Sequence, residues 1–234
     1  MSAPLRLICV DLEAPPLFGK AVQGRREGSE PEVGELSAGQ LGRQLTWVIR
    51  PWAEMIPAVQ AGEGDAVLCG QGIIPSRLEQ VEFTRPYAIF DESVLVRAGS
   101  GISTAAGLVG SRVAAIDGSA NMRLARTFDG AVTVPYGGDT GDVFGDMIAA
   151  LRKGEVDAVV DDDVALVPVA DDPDFQVAFT VHTQNPWGIA VAKDRPGTLS
   201  VLDGGLAAVI ANGALAQAWR TWMPTLPYPL RADD

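Results

Sequence analysis

The sequence predicts an α/β protein of two similar lobes, and three observations carry that prediction. Short apolar runs alternate with amphipathic segments in the order βαβαβ, the pattern of parallel sheets covered by helices. Met55 to Val67 (MIPAVQAGEGDAV) returns 92 positions later as Met147 to Val159 (MIAALRKGEVDAV), with 8 of 13 positions identical. Finally, one long apolar segment leaves the first half of the chain and a second one returns to it. The expected architecture is two Rossmann-like lobes joined by two hinge strands, with a ligand cleft between them. Residues 1–90 with 188–234 form the first, discontinuous lobe, and residues 91–187 form the second.

The 234 residues suffice for two lobes of ordinary size, and 47% hydrophobic with 21% charged content is that of a globular chain. A net charge of −12 argues against nucleic acid or an anionic membrane as partner. One His, His182, leaves little material for a His-based zinc site or a Ser-His triad. No metal and no cofactor are expected. Cys9 and Cys69 each sit in an apolar strand and read as small buried hydrophobes, with a disulfide as the alternative. No charged segment followed by an apolar core opens the chain, so it reads as given without an export signal: either a mature form with an added Met, or a chain that is cytoplasmic as it stands.

Leu5 to Val10 is the first buried strand, and the loop after it carries Asp11 and Glu13, two acids that either face a ligand or, as lone loop acids more often are, are solvated. Gly19 to Pro31 reads as a surface loop or hairpin, Glu32 to Leu41 as a helix stopped by Gly42, and Gln44 to Arg50 as a second strand. Trp52 follows that strand end, as a stacking face or a lid on the core, and Pro57 is placed to kink the next helix. The strand Ala66 to Cys69 ends at Gly70-Gln71-Gly72, where bare backbone can approach a ligand. Arg77 follows five residues after Gly72, with a planar fork suited to a carboxylate. Bare amides beside one Arg make an anion clamp; a surface helix residue is the plainer reading of Arg77.

Ala88 to Arg97 reads as the first hinge strand, interrupted by Asp91 and Glu92. Arg112 to Ile116 opens the second lobe and runs into Asp117-Gly118-Ser119-Ala120-Asn121 at the start of a helix ending at Thr127. There Ser119 is an N-cap, and the turn with Ala120 and Asn121 is a candidate for a ligand carboxylate. Val132 to Pro135 is a strand, Gly137 to Asp142 a loop, and Val143 to Arg152 the helix of the second repeat. Asp157 to Val160 is a strand followed by Asp161, Asp162 and Asp163, either ligand-facing acids or the start of a short helix. Phe175 to Val181 and Trp187 to Ala192 are the last strands, and Leu199 to Ile210 and Ala214 to Trp222 the last helices. The first repeat thus presents a cation and amides at its strand end, the second carboxylates. Two lips of opposite charge suit a zwitterion.

The runs Asp65 to Arg77 (DAVLCGQGIIPSR) and Phe83 to Tyr87 (FTRPY) resemble the signature of family 3 solute-binding proteins, the amino-acid-binding components of ABC transporters. Gly154 to Asp162, Trp187 to Asp194 and Gly213 to Trp222 match the same pattern, so the resemblance covers roughly Leu5 to Pro224. It implies the type 2 periplasmic-binding-protein fold and a mechanism of hinge closure on a small ligand. It implies that Arg77 and the Gly72 amide hold the ligand carboxylate, and that the Gly70 carbonyl and Asp162 hold its ammonium. Ser119 with its neighbours would complete the carboxylate site, and Trp52 with the loop from Asp11 to Ala14 would line the side-chain pocket. Implied partners are a polar or basic amino acid, or an analogue, and an ABC transporter permease. A monomer is expected, and members of the family usually lie outside the cytoplasm. The chain departs from the family pattern at Cys69, Gly72, Ile74 and Ala120, where hydroxyl side chains are usual, and at Ala14, where an aromatic is common. The alternative to a binder is an enzyme of the cyclohexadienyl dehydratase type on the same fold, with a protonated Asp of the 161–163 run as general acid. A ligand-sensing module is the third reading.

Overall fold

The computed structural model describes residues 3–11, 13–19, 25–137 and 139–230. The loops expected over 19–31 and 137–142 lie partly outside the described residues. Two compact units divide the chain: Met1–Ile89 with Pro186–Asp234, and Phe90–Asn185.

The first unit begins with β1 (Leu5–Cys9), α1 (Ser29–Gln40), β2 (Leu45–Ile49), α2 (Met55–Gln60), β3 (Ala66–Val67), α3 (Pro75–Leu78) and β4 (Val81–Phe83). β5 (Ala88–Arg97) carries the chain into the second unit, which continues with β6 (Arg112–Ile116), α4 (Ala120–Ala125), β7 (Val132–Tyr136), α5 (Val143–Lys153), β8 (Ala158–Asp162) and α6 (Asp163–Val169). β9 (Phe175–Trp187) leads back to β10 (Ala190–Ala192), α7 (Pro196–Ala211) and α8 (Ala214–Trp222).

The first sheet runs β2-β1-β3-β10-β4. β1 is parallel to β2 and β3, while β10 is antiparallel to β3 and β4. Leu5, Leu7 and Ile8 have no exposed surface, because a central strand covered on both faces has no solvent side. Each such side chain contributes about 1.5–3 kcal/mol by burial. α1 packs on α7 and α8.

The second sheet runs β7-β6-β8-β5-β9. One of its faces carries Val94, Val96, Val113, Ala115, Ala158 and Val160 onto Leu108, Met122, Ala125 and Phe128, the core of this unit.

The repeated stretches do the same work in each unit. Gly62 (φ 76°) and Gly154 (φ 74°) close α2 and α5 in the left-handed region, where a side chain is strained. Asp65 accepts the backbone N–H of Arg6 at 3.0 Å and its guanidinium at 2.9 Å. Asp157 accepts the backbone N–H of Arg112 at 2.9 Å and its guanidinium at 2.9 Å. Each Asp thereby ties the start of one strand to its parallel neighbour, β3 to β1 and β8 to β6.

Several expectations need correction. The first helix begins at Ser29, not Glu32, and Arg26, Ser29 and Glu30 are buried rather than on a surface loop. Asp91 and Glu92 do not interrupt β5, which runs unbroken, and Glu92 opens its ladder to β8. Asp161 and Asp162 belong to β8 itself, and only Asp163 opens the helix. The penultimate strand does not stop at Val181 and the last does not start at Trp187: β9 runs on to Trp187 and β10 starts at Ala190. Helix α7 starts earlier than the apolar pattern suggested, at Pro196. Pro57 falls in the first turn of α2, where an N–H is least missed. Cys9 and Cys69 are buried free thiols, and burial pushes Cys9 up to about 12. Among the described residues, no single helix is long and apolar enough to cross a membrane.

Candidate functional site

Arg77 is buried, though it lies on a helix of one turn. Its guanidinium donates to the Gly72 carbonyl at 3.1 Å and stands 5.4 Å from the Trp52 ring. The backbone explains why Gly72 faces it. Gly72 and Trp187 form an antiparallel bridge, flanked by Ile73 N–H to Pro186 (2.8 Å) and Gly188 N–H to Gln71 (3.1 Å). Flanking bonds of that kind turn the N–H and C=O of the bridged residue to the opposite edge. The Gly72 amide therefore points to the edge where Arg77 bonds the Gly72 carbonyl. A guanidinium, an amide and an aromatic face come together, and that set can bind a carboxylate.

Gly70 is used differently. Its amide donates to Glu30 Oε2 at 3.1 Å, and its φ of 57° sets the chain in the left-handed region. Glu30 is 2% exposed, and Tyr87 is buried beside it. Burial and then the Glu30 carboxylate push the Tyr87 hydroxyl well above its usual range. Nothing in the sequence marked Glu30, since it lies in a polar stretch without periodicity. Asp11 and Glu13 are both exposed, and Asp11 stands 3.7 Å from the buried Arg26 guanidinium.

In the second unit, Ser119 caps α4: its hydroxyl accepts the Met122 N–H at 3.0 Å and donates to the Ile116 carbonyl at 2.6 Å. That use matches the capping the sequence suggests. Ala120 follows as the first helical residue, half-buried. Asn121 is buried and donates to Asp161 at 2.8 Å and to Asp162 at 3.3 Å. Asn185 approaches Asp162 at 3.5 Å, and the Asp162 amide bonds Asp161 at 2.8 Å. Glu92 stands across the ladder from Asp162 and is 2% exposed. Burial, then the charges of Asp162 and Asp91, push Glu92 up to about 8. Burial and Asp162 likewise raise Asp161 well above the carboxylate range. Glu92 and Asn185 were missed as site residues; the one signal was an acidic pair inside an apolar strand. No group of three or more His, Cys, Asp or Glu among the described residues is placed to hold a metal ion.

Each unit is thus an α/β layer whose strand ends present polar groups, cationic in the first and acidic in the second. That is the arrangement of a two-unit solute-binding protein. The family model for bacterial extracellular solute-binding proteins, family 3, matches residues 7–225, and the chain belongs to that family. It is 28% identical over 174 residues to the ABC transporter glutamine-binding protein GlnH of Bacillus subtilis (strain 168), covering 74% of this chain and 62% of that protein's length. It is 25% identical over 217 residues to the ABC transporter arginine-binding protein 1 of Escherichia coli (strain K12), covering 90% and 87%. Among solved structures, an ancestral arginine-binding protein bound to glutamine superposes with a TM-score of 0.85 at 26% identity, covering 95% of this chain and 99% of that one. An ancestral amino-acid-binding protein described as a precursor of cyclohexadienyl dehydratase shares the fold, with a TM-score of 0.79 at 24% identity over 94% of each chain.

Proposed function

We propose that this solute-binding protein takes an amino acid with a polar or basic side chain and delivers it to an ABC-type permease. The observation that carries the reading is the buried Arg77 guanidinium beside the Gly72 amide and the Trp52 ring. Arg77 and Gly72 would hold the carboxylate. Asp162, with the Gly70 carbonyl, would hold the ammonium. The Ser119–Asn121 turn would add contacts, and Trp52, Asp11 and Glu13 would face the side chain. Hinge closure on the ligand then selects the closed state. The named relatives, which bind glutamine and arginine, support the polar or basic class.

A thermal-shift screen of the twenty amino acids tests this. Stabilisation by arginine, glutamine or a similar amino acid, absent in Arg77→Ala, is the expected result. No stabilisation by any amino acid would remove the reading.

One observation favours the enzyme as a second reading. The buried carboxyls of Glu92 and Asp161, both pushed above the ordinary carboxylate range by burial and by Asp162, are the kind of group a general acid requires. Formation of phenylpyruvate from prephenate, lost on acid-to-amide substitution there, would select it over the binder.

A further inference from the structure

Asp162 does not account for the whole polar layer at the end of the second sheet. Glu92 and Asp162 are direct partners in the β5·β8 ladder, so their side chains leave the sheet on one face. It is the face that carries Val94, Val96, Ala158 and Val160 into the core. Glu92 Oε2 is buried with no hydrogen-bond partner among the described residues. Asn121 spends its N–H groups on Asp161 and Asp162 and leaves Oδ1 buried, also without a donor. The charges acting on Glu92 come from Asp162 and Asp161 on β8, Asp91 on its own strand and Asp163 at the start of α6. From β9, Thr183 takes the Glu92 backbone N–H, Asn185 turns to Asp162, and His182 is paired with Asp91. From α4 comes only the neutral Asn121.

Two buried acceptors, Glu92 Oε2 and Asn121 Oδ1, stand without hydrogen-bond donors among the described residues, in a layer of carboxyls. In water-poor surroundings the substitute for a cation is a proton. We propose that Glu92 holds a proton in the free protein and releases it when a cationic group of the ligand docks at Asp162. The O–H bond then breaks heterolytically, the proton passes to solvent, and the carboxylate keeps the electron pair. Glu92, Asp162 and Asn121 Oδ1 become one acceptor set for an ammonium or guanidinium. Glu92 is thereby a specificity-determining residue that couples affinity to pH. The position of Glu92, pushed up to about 8, agrees with this assignment.

The inference rests on the amino-acid-binding reading, and the test separates the two. Calorimetric titration with L-arginine at pH 7, in buffers of low and high ionisation enthalpy, counts the protons exchanged. About one proton released per arginine is expected, with affinity rising close to tenfold per pH unit between roughly pH 6 and 7.5. Glu92→Gln, which preserves shape, is expected to bind with no release and a flat profile. Carboxyl NMR of Glu92 in the free protein gives a readout that needs no ligand: it is expected to titrate well above the ordinary glutamate range. Arginine binding without proton release, release that persists in Glu92→Gln, or ordinary titration of Glu92 overturns the inference alone. Absence of binding by arginine and every other amino acid removes the functional reading and the inference with it.

Discussion

The two units begin their repeated strands alike and end them in opposite ways. At the start of β3, Asp65 is held by Arg6 and Arg43, and at the start of β8, Asp157 is held by Arg112 and Arg97. Burial works against the Asp65 charge, but the bonds from Arg6 outweigh it and lower its pKa. The bonds from Arg112 bring Asp157 down to about 2. At the far ends this parallel is gone. β3 runs out to Gly70, Gly72 and Arg77, while β8 finishes in Asp161 and Asp162 beside Glu92. The ion pairs at the starts therefore belong to the fold, which both units share. The charges at the ends differ between the two units.

Removing the cation at the first strand end should have the largest effect. Arg77→Ala is expected to weaken amino-acid binding by about two to three orders of magnitude, as loss of a buried charged partner does. Arg77→Lys, which keeps charge and loses the fork, should fall between. Titration calorimetry on folded variants reads both; affinity kept in Arg77→Ala would break the proposed division of labour.

The acidic end should show itself in stability. A carboxyl whose pKa is raised on folding contributes most below its unfolded value and loses that contribution as pH rises through its folded value. With Glu92 moved from 4.5 to about 8, the free protein should lose stability across that window. The loss is on the order of 2–4 kcal/mol. Urea melts at pH 5 and pH 8 measure it, and Glu92→Gln should flatten the difference. An equal slope in the variant would place the effect elsewhere.

The shared ends should respond less. Asp157→Asn and Asp65→Asn are each expected to cost on the order of 1 kcal/mol, because solvent screens these half-exposed pairs. The sign is opposite to that of Glu92: both pKa values are depressed, so the stabilisation is present above 3.8 and is lost as pH falls, for Asp157 through about 2. Acid denaturation curves of the two variants should shift alike if the units use one device. Gly70→Ala is expected to cost a similar amount, roughly 1 kcal/mol. Its new Cβ would take a φ of 57° and lie 3.3 Å from the Trp187 ring.

This contrast was partly legible in the sequence. The 92-residue echo exposed the repeat, and Gly70, Gly72, Arg77 and Asp162 stood out because strand ends are where side chains leave the layers. The role of Asp65 and Asp157 was not legible, since an acid in a turn looks the same whether solvated or bonded to the next strand. Glu92 showed only as a charge in an apolar run. Its partner lies on a strand far along the chain, and only the β5·β8 register brings them face to face. Glu30 gave no signal, because its burial depends on α1 starting at Ser29.

On the proposed division of labour, the first unit takes the ligand's carboxylate and the second its ammonium. A cycle of calorimetric titrations tests it, with arginine, agmatine (no carboxylate) and the deamino acid (no α-ammonium) against wild type, Arg77→Ala and Asp162→Asn. If the claim holds, loss of the carboxylate weakens binding to wild type and to Asp162→Asn, and hardly matters in Arg77→Ala. Loss of the ammonium matters in wild type and Arg77→Ala, and hardly in Asp162→Asn. Equal penalties in all three proteins, for both ligand changes, would contradict it.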